Sequence, residues 1–573
     1  MKEPPVEHRA LLAALLSLVV VVVWQLFFAP KPPTGPSRPV SSPAAGQHPG
    51  APAAPAAPTP GGTAAAAAVP VSPKAATGEK TTVVENDLYR VVFSNRGAVV
   101  RNWELKKYTD DRKPPHTLDL VHPDAGQQMG SWPFALTLDD AQLEAQANSA
   151  LFTVTPDSAT LEAPREIQFE WSDGHLAVAK RLKFDRSYLV QVETDVTLDG
   201  KPLAHGVAWR GGFGDTTVYQ AAEQVQVFYS ASGKLDVLPY KKLGVPDQPA
   251  QRQRQAGTFD YVGIEDHYFV AAFLPRLGSS GGLALWDWRL DRETQQEGKP
   301  VKEPVAEMAA GSTAAGPLAL RVFVGPKDLD ELKKLTPPLS DLVQFGWLDF
   351  IAAPLFYLLR WLHGYVPNYG WAIILMTVLI NMVLFPLKVK SWRSMQKMQK
   401  VAPEVKAIQD RYKKYSLRDP RRQEMNQEVM AVYKREGINP MGGCLPMVLQ
   451  MPIWFGLYRM LNVTIELRHA PWFWWVRDLS ARDPYYILPV LMAVTMYVMQ
   501  KTTPTTASDP TQQRMMNMMP IMFGGMFIVF PVSSGLVLYI LSSNLVGMAQ
   551  QWYLNRTAPV AAKVARGKNG KKK

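Results

Sequence analysis

The sequence predicts a multi-pass α-helical membrane protein with six spans and a large all-β domain held outside the bilayer. Three observations predict it. Apolar residues are gathered into discrete runs at 11–29, 371–387, 445–463, 485–499, 515–530 and 535–552. Lys and Arg cluster beside particular runs: Lys2 and Arg9 precede the first, a dense block at 388–435 follows the second, and 556–573 ends the chain. Between the first and second runs the chain alternates in the strand period, as in YRVVFSNRGAVVRNWEL and REIQFEWSDGHLAVAKRLKF. The averages, net charge +12 and 47% hydrophobic residues, conceal these unlike parts.

The elements follow in order. Residues 1–29 form a short basic tail and a first anchor, whose apolar run is longer than a signal-peptide core and ends at Pro30, which disfavours cleavage there. Residues 30–80 are rich in Pro, Ala and Gly, the composition of an extended tether without a core. Residues 81–325 read as one large all-β domain. Its compartment permits disulfides, yet the chain's one cysteine, Cys444, sits at a membrane span and reads as inert packing. Residues 326–368 hold a helix with Trp347, Phe350, Ile351, Pro354, Leu355, Leu358, Leu359 and Leu362 on a broad apolar face, while Arg360, Trp361 and His363 suit the headgroup zone. A helix lying in the outer interface is expected there.

Residues 369–556 carry the remaining five spans. Several fall short of the roughly 20 residues needed to cross about 30 Å of hydrocarbon, so the surrounding bilayer is expected to thin. The Lys and Arg asymmetry puts both termini on the cytoplasmic side and 30–370 outside. Within the basic block, Met395, Met398, Val401 or Ala402, Val405, Ile408, Tyr412 and Tyr415, then Met425, Val429 and Val432 or Tyr433, recur at three- and four-residue spacing. That pattern predicts a cytoplasmic helical hairpin over 388–436 with a narrow apolar seam. Its charge suits ribosomal RNA, anionic lipid or the positive-inside rule alone. In the tail at 557–573, Lys568, Lys571, Lys572 and Lys573 have no acidic neighbour and read as a phosphate-binding arm.

Two constellations bear on chemistry. Between Gly437 and Trp454 the chain reads GINPMGGCLPMVLQMPIW, a hinge leading into a span with Pro446, Gln450 and Pro452. A proline in a helix interior frees one carbonyl at a cost of about 3 kcal/mol, and in hydrocarbon that carbonyl is tolerated where protein or water shields it. One face of the span therefore borders a polar cavity, or Pro452 only kinks a packed helix and Gln450 bonds a neighbour. In the second run Thr377, Asn381 and Lys388 share a helix face, with Asn381 about 9 Å from the inner end at 1.5 Å per residue. Gln450 and the Ser542, Ser543, Asn544 cluster suit the same polar space, or serve as glue between helices. Nine histidines without ligand spacing, no phosphate-binding glycine loop and no HExxH argue against metal, cofactor and nucleotide chemistry.

The runs INPMGGCLPMVLQMPIW, ELRHAPWFWWVRDLSARDPYYILPVLMAVTMYVMQK, SDPTQQRMMNMMP and SSGLVLYILSSNLV closely resemble the YidC-type membrane protein insertases over about residues 345–556. The anchor and outside domain resemble the Gram-negative form, whose periplasmic domain is a β-sandwich of galactose-mutarotase-like shape. The resemblance implies a five-helix insertase core with a hydrophilic groove open to cytoplasm and lipid, and a greasy slide along which hydrophobic segments leave. Carried over by position, Thr377 belongs to the groove, with Asn381, Gln450 and Lys388 beside it, while Met451, Trp454, Met492 and Tyr539 fall at slide positions. Two residues depart from the family pattern: Asn381 stands where Arg is usual, and Ile540 replaces the second of a common Tyr pair. Lys388, at the groove mouth, is then a partial substitute for the missing charge.

The resemblance implies a non-enzymatic insertase and chaperone of the bacterial inner membrane, acting with or without the Sec translocon. Its expected partners are nascent membrane proteins, the ribosome, Sec translocon components and the lipid bilayer, with no small-molecule substrate. One rival is a secondary transporter, disfavoured by the lack of an internal repeat. Another makes the outside domain a sugar-binding or sugar-modifying module, which fold likeness alone does not support.

Overall fold

The structure, a computed structural model, describes residues 72–218, 221–278, 282–296, 299–415, 419–438, 445–502, 510–530 and 532–557. The expected anchor at 11–29, most of the tether, the hinge at 439–444 with Cys444, and the basic tail with Lys568, Lys571, Lys572 and Lys573 lie outside the described residues.

The alternating segment folds as three sheets around one core. The largest runs in the order Lys234–Pro239, Gln226–Ala231, Tyr261–Glu265, Phe269–Pro275, Leu318–Pro326, Leu189–Leu198, Leu176–Phe184, Arg165–Ser172 and Thr153–Thr155, antiparallel throughout. A second begins at Thr117–Asp119 and passes through Val99–Thr109, Tyr89–Ser94 and Thr81–Glu85 to a parallel partner, Thr160–Glu162. The third centres on the long hairpin of Ala284–Gln296 and Lys299–Gly311, flanked by Gln253–Arg254 on one side and by Gly206–Trp209 and Ala135–Thr137 on the other. The period-two pattern is the cause: in Leu176–Phe184 the residues Leu176, Val178, Lys180, Leu182 and Phe184 all point inward. Rings meet across the sheets, Phe93 with Phe169 at 5.7 Å and Trp103 with Trp209 at 6.4 Å.

The one inward cation, Lys180 of that strand, donates to the carbonyls of Gly97, Ala98 and Phe134 at 2.8, 3.1 and 2.8 Å. The domain is not purely β: Pro123–Met129 (α1), Ala141–Ser149 (α2) and Ala221–Gln224 (α3) connect strands. Asp140 caps α2 by accepting from the backbone of Gln142 and Leu143.

Leu329–Lys333 (α4) leads into Asp349–Tyr365 (α5), the predicted interfacial helix. Its buried face is Ala352, Leu355, Phe356, Leu359 and Leu362. Phe350 is 70% exposed, and Tyr357, Trp361 and Tyr365 also face outward. Arg360 pairs with Asp330 of α4, which fixes α5 to the end of the β domain.

Tyr369–Tyr412 (α6) is a single 44-residue helix that carries both the second apolar run and the first arm of the hairpin. It runs through Pro386 and Pro403, each of which removes one intrahelical bond without stopping the helix. Arg421–Arg435 (α7) folds back on its far end, where Val401, Val405 and Ile408 pack on Val432, with Met398, Tyr412, Met425, Val429 and Tyr433 at the edges. The remaining helices are Leu445–Val463 (α8), Ile487–Thr502 (α9), Pro510–Val529 (α10) and Ser534–Thr557 (α11). Among the described residues α6 alone is both long and apolar enough to cross a membrane by length and composition, and α9 is a shorter apolar helix.

The β domain and the helical region share a polar seam. Arg468, on the loop after α8, pairs with Asp215 at 2.6 Å and donates to the Thr109 carbonyl. His469 stands 2.7 Å from Asp111, and His267 bonds the carbonyl of Asn462 at the end of α8.

Candidate functional site

Spacing along two helices creates the polar site. On α6, Thr377, Asn381 and Lys388 lie at i, i+4 and i+11, and on α11, Tyr539, Ser543 and Gln550 repeat the same offsets, so each set forms one stripe. The two stripes face each other. Asn381 is fully buried and both ends of its amide are bonded: Nδ2 donates to the Thr377 carbonyl at 2.8 Å and to Ser543 Oγ at 3.4 Å, while Oδ1 accepts from Lys388 Nζ at 2.5 Å. The ammonium fixes which way the amide points, because a flipped NH2 group would face it donor to donor. Lys388 Nζ also donates to Gln550 Oε1 at 3.2 Å, and Gln550 Nε2 donates to the Asn381 carbonyl at 3.0 Å.

This arrangement reorders the predicted groove residues. The Thr377 hydroxyl, fully buried, donates to the carbonyl of Ile373 at 2.7 Å on its own helix and has no donor left for a ligand. Half-buried Lys388 and Gln550 form the accessible end of the stripe. Lys388, expected as a partial substitute for the missing charge, is bonded directly to Asn381. Gln450 does not join this network. Its Nε2 donates to Tyr539 OH at 2.7 Å, tying α8 to α11, and Asn544 ties α11 to α9 by donating to Thr495 Oγ1 at 3.2 Å.

The four residues expected at slide positions do not share one surface. Met451 is 42% exposed and Trp454, stacked on Tyr458 with ring centroids 6.5 Å apart, is half-buried. Met492 and Tyr539 are buried, and Tyr539 OH accepts the bond from Gln450 of α8. Gln550 was missed from sequence. Its signal was present as the residue two turns past Ser543, but a glutamine near a helix end has many bland explanations.

In the β domain the buried carboxylates are satisfied by their own chain. Glu307 accepts from Ser131, from the Gly211 backbone and from Trp288, at 2.9, 2.8 and 2.6 Å, and burial raises its pKa. Glu144 bridges Arg210 and Arg252 and accepts from the Leu138 backbone. Asp111, His469 and Asp478 bring ligand-type atoms within 4.8 Å of one another, a grouping invisible in the spacing because Asp111 is so distant in sequence. Both His469 nitrogens are already bonded, Nδ1 to Thr109 Oγ1 and Nε2 to Asp111, which makes the group an inter-domain latch.

Residues 361–561 match the family described as 60Kd inner membrane protein, and residues 81–358 match the YidC periplasmic domain. The membrane protein insertase YidC of Cupriavidus necator is 34% identical over 567 residues, covering 96% of this chain and 97% of that protein. The namesake of Burkholderia cenocepacia is 35% identical over 481 residues, covering 82% of this chain and 83% of that protein. Among solved structures, an active YidC insertase with its first transmembrane domain resolved aligns over 85% of this chain and 96% of that chain at 18% identity and a TM-score of 0.36. A galactose mutarotase-like protein from Lactobacillus casei aligns over 43% of this chain and 99% of that chain at 11% identity and a TM-score of 0.28. The two family matches and the near full-length identity carry one conclusion: the chain belongs to the YidC family of bacterial inner-membrane protein insertases.

Proposed function

We propose that this insertase works through a polar groove between α6, α8 and α11, with α6 and α8 to α11 all crossing the bilayer and a sixth span at 11–29. The outward faces of these helices support that reading. Met382 and Val383 on α6, Val490 and Val494 on α9, Ile521 and Met522 on α10 and Leu545 on α11 are each more than half exposed or close to it, as lipid-facing residues are. At 1.5 Å per residue α9 reaches about 24 Å, so the hydrocarbon beside it thins. The positive-inside pattern then puts both termini and the α6 to α7 hairpin in the cytoplasm.

The observation that carries the groove is the Lys388 ammonium held between the side-chain oxygens of Asn381 and Gln550. In this reading it supplies the cation that the family usually carries at position 381. At an effective dielectric near 20, a carboxylate about 4 Å away gains about 4 kcal/mol, enough to draw the acidic flank of a substrate into the polar stripe. Partition of the substrate's apolar segment past Met451 and Trp454 then drives insertion, with no nucleotide consumed by this chain. Nascent membrane proteins are the substrates. The ribosome, reached through Lys568, Lys571, Lys572 and Lys573, and the Sec translocon are the proposed partners.

Protease protection of two matched substrates, one with an acidic and one with a neutral translocated segment, tests this in cells depleted of the native protein. Lys388→Met should impair the acidic substrate several-fold more than the neutral one, and Asn381→Leu should impair both. Equal insertion of the two substrates by parent and Lys388→Met, at equal protein levels, would show that the network only packs the helices together.

A further inference from the structure

Where the β domain meets the helical region a cleft of about 820 Å³ opens. One wall is the β-domain loop 109–115 and the other is the loop from His469 to the start of α9. Its acids are already engaged: Asp110 by Arg112 and His116, Asp111 by His469, and Asp478 by His469 and the backbone of Ser480 and Ala481. Three of its cations are not. Lys113, Arg477 and Arg482 line the cleft, are exposed, and make no ion pair among the described residues. With Arg112, Lys113, Arg477 and Arg482 set against Asp110, Asp111 and Asp478, the cleft lining is net positive, and its three unpaired cations are the groups left to meet a ligand.

Two further features select the ligand. Trp474, 84% exposed, and Tyr485, 69% exposed, stand on the rim, and exposed aromatics of this kind sit at the headgroup level of a membrane. Below them the cleft floor runs onto α9 at Ile487, and from there Val490, Leu491 and Val494 continue down one helix face at 51, 43 and 53% exposed. Cations above an unbroken apolar track match an amphiphile with an anionic head. A free phosphate would use the first feature and leave the second without purpose.

We infer that this cleft binds the headgroup of an anionic phospholipid of the periplasmic leaflet, its phosphate on Lys113, Arg477 and Arg482 and an acyl chain along Ile487, Val490 and Val494. The inference rests on the reading of α9 as lipid-facing. Bound so, one lipid contacts both the periplasmic domain and a membrane helix, and it bridges them at the seam closed by His469 and Asp111.

Native mass spectrometry of the full chain in detergent tests it, by titration with phosphatidylglycerol and with phosphatidylcholine of the same acyl chains. The parent should retain phosphatidylglycerol at about tenfold lower concentration. The triple variant Lys113→Gln, Arg477→Gln, Arg482→Gln should bind both lipids alike, whereas Arg477→Lys should keep the preference. A preference that survives the triple variant overturns the site, and so does displacement of the lipid by millimolar inorganic phosphate, which would mark an anion site instead. A benzophenone side chain at position 494 tests the underlying reading separately. Cross-linking to lipid supports the acyl track, and its absence in bilayers overturns the lipid-facing placement of α9 whatever the headgroup result.

Discussion

The guanidinium of Arg468 lies 2.6 Å from the carboxylate of Asp215, and both side chains are almost wholly buried although 253 positions separate them. Arg468 also donates to the Thr109 carbonyl and lies over the Phe269 ring at 5.6 Å. A loop between two helices of the insertase core is thereby locked into the floor of the periplasmic domain. Removing one partner leaves an uncompensated buried charge, which costs about 3–5 kcal/mol. Arg468→Ala or Asp215→Ala should lower the apparent unfolding temperature of the purified protein markedly. The double change Arg468→Met, Asp215→Leu should recover much of that loss, because no charge is then stranded.

Asp266 accepts backbone bonds from Asp215, Tyr268 and Phe269 beside this pair. Burial pushes its pKa up from 3.8 to about 6, against the pull of those N–H donors and of Lys327. The folded state therefore holds a proton that the unfolded chain releases between these values, so this group's contribution to stability falls as pH rises from about 4 to about 6, by up to about 3 kcal/mol. Chemical denaturation at pH 4 and pH 6.5 should show a smaller fall in Asp266→Asn than in the parent.

Lys180 fills three backbone carbonyls inside the β core. Lys180→Met matches its length but leaves Gly97, Ala98 and Phe134 without that donor, at about 1–3 kcal/mol for each acceptor left buried and dry. The expected result is a loss of several kcal/mol in urea unfolding followed by far-UV circular dichroism. A change under about 1 kcal/mol would mean that water replaces the amine.

Gly370 opens α6 against Trp472, where an added Cβ would come within 2.1 Å of the indole. The indole is boxed in by Trp371 and Trp475 and has little room to retreat. Gly370→Ala should destabilise by about 1–3 kcal/mol and shift tryptophan fluorescence, while Gly364→Ala, which meets no atom within 4 Å, should do neither.

Every residue of the Lys388 network lies on α6 or α11, and none comes from the periplasmic domain. Deleting about residues 83–318 should leave substantial insertion of a small substrate in a protease-protection assay. Arg468 then faces water instead of Asp215 and carries no stranded-charge penalty. Complete loss of insertion with the helical region still folded would assign the domain a direct part in the reaction.

Period and composition were enough to read the strands between 81 and 326, the seam of Val401, Val405 and Ile408 with Val432, and the polar stripe on α6, because each is a property of one element's own spacing. Boundaries were less legible. Neither Pro386 nor the onset of basic residues stops α6, since a proline removes only one of its hydrogen bonds and a charge beyond the apolar run costs nothing in water. Tertiary structure alone decided what each stripe meets. Gln550 completes the site because α11 runs beside α6, Gln450 turns to Tyr539 instead, and Met492 and Tyr539 are buried where the family pattern suggested a surface. The same holds for Arg468 and Asp215. A helix or strand records in its sequence which face is polar, but which group compensates a buried charge depends on distances across the fold, and linear spacing does not contain them.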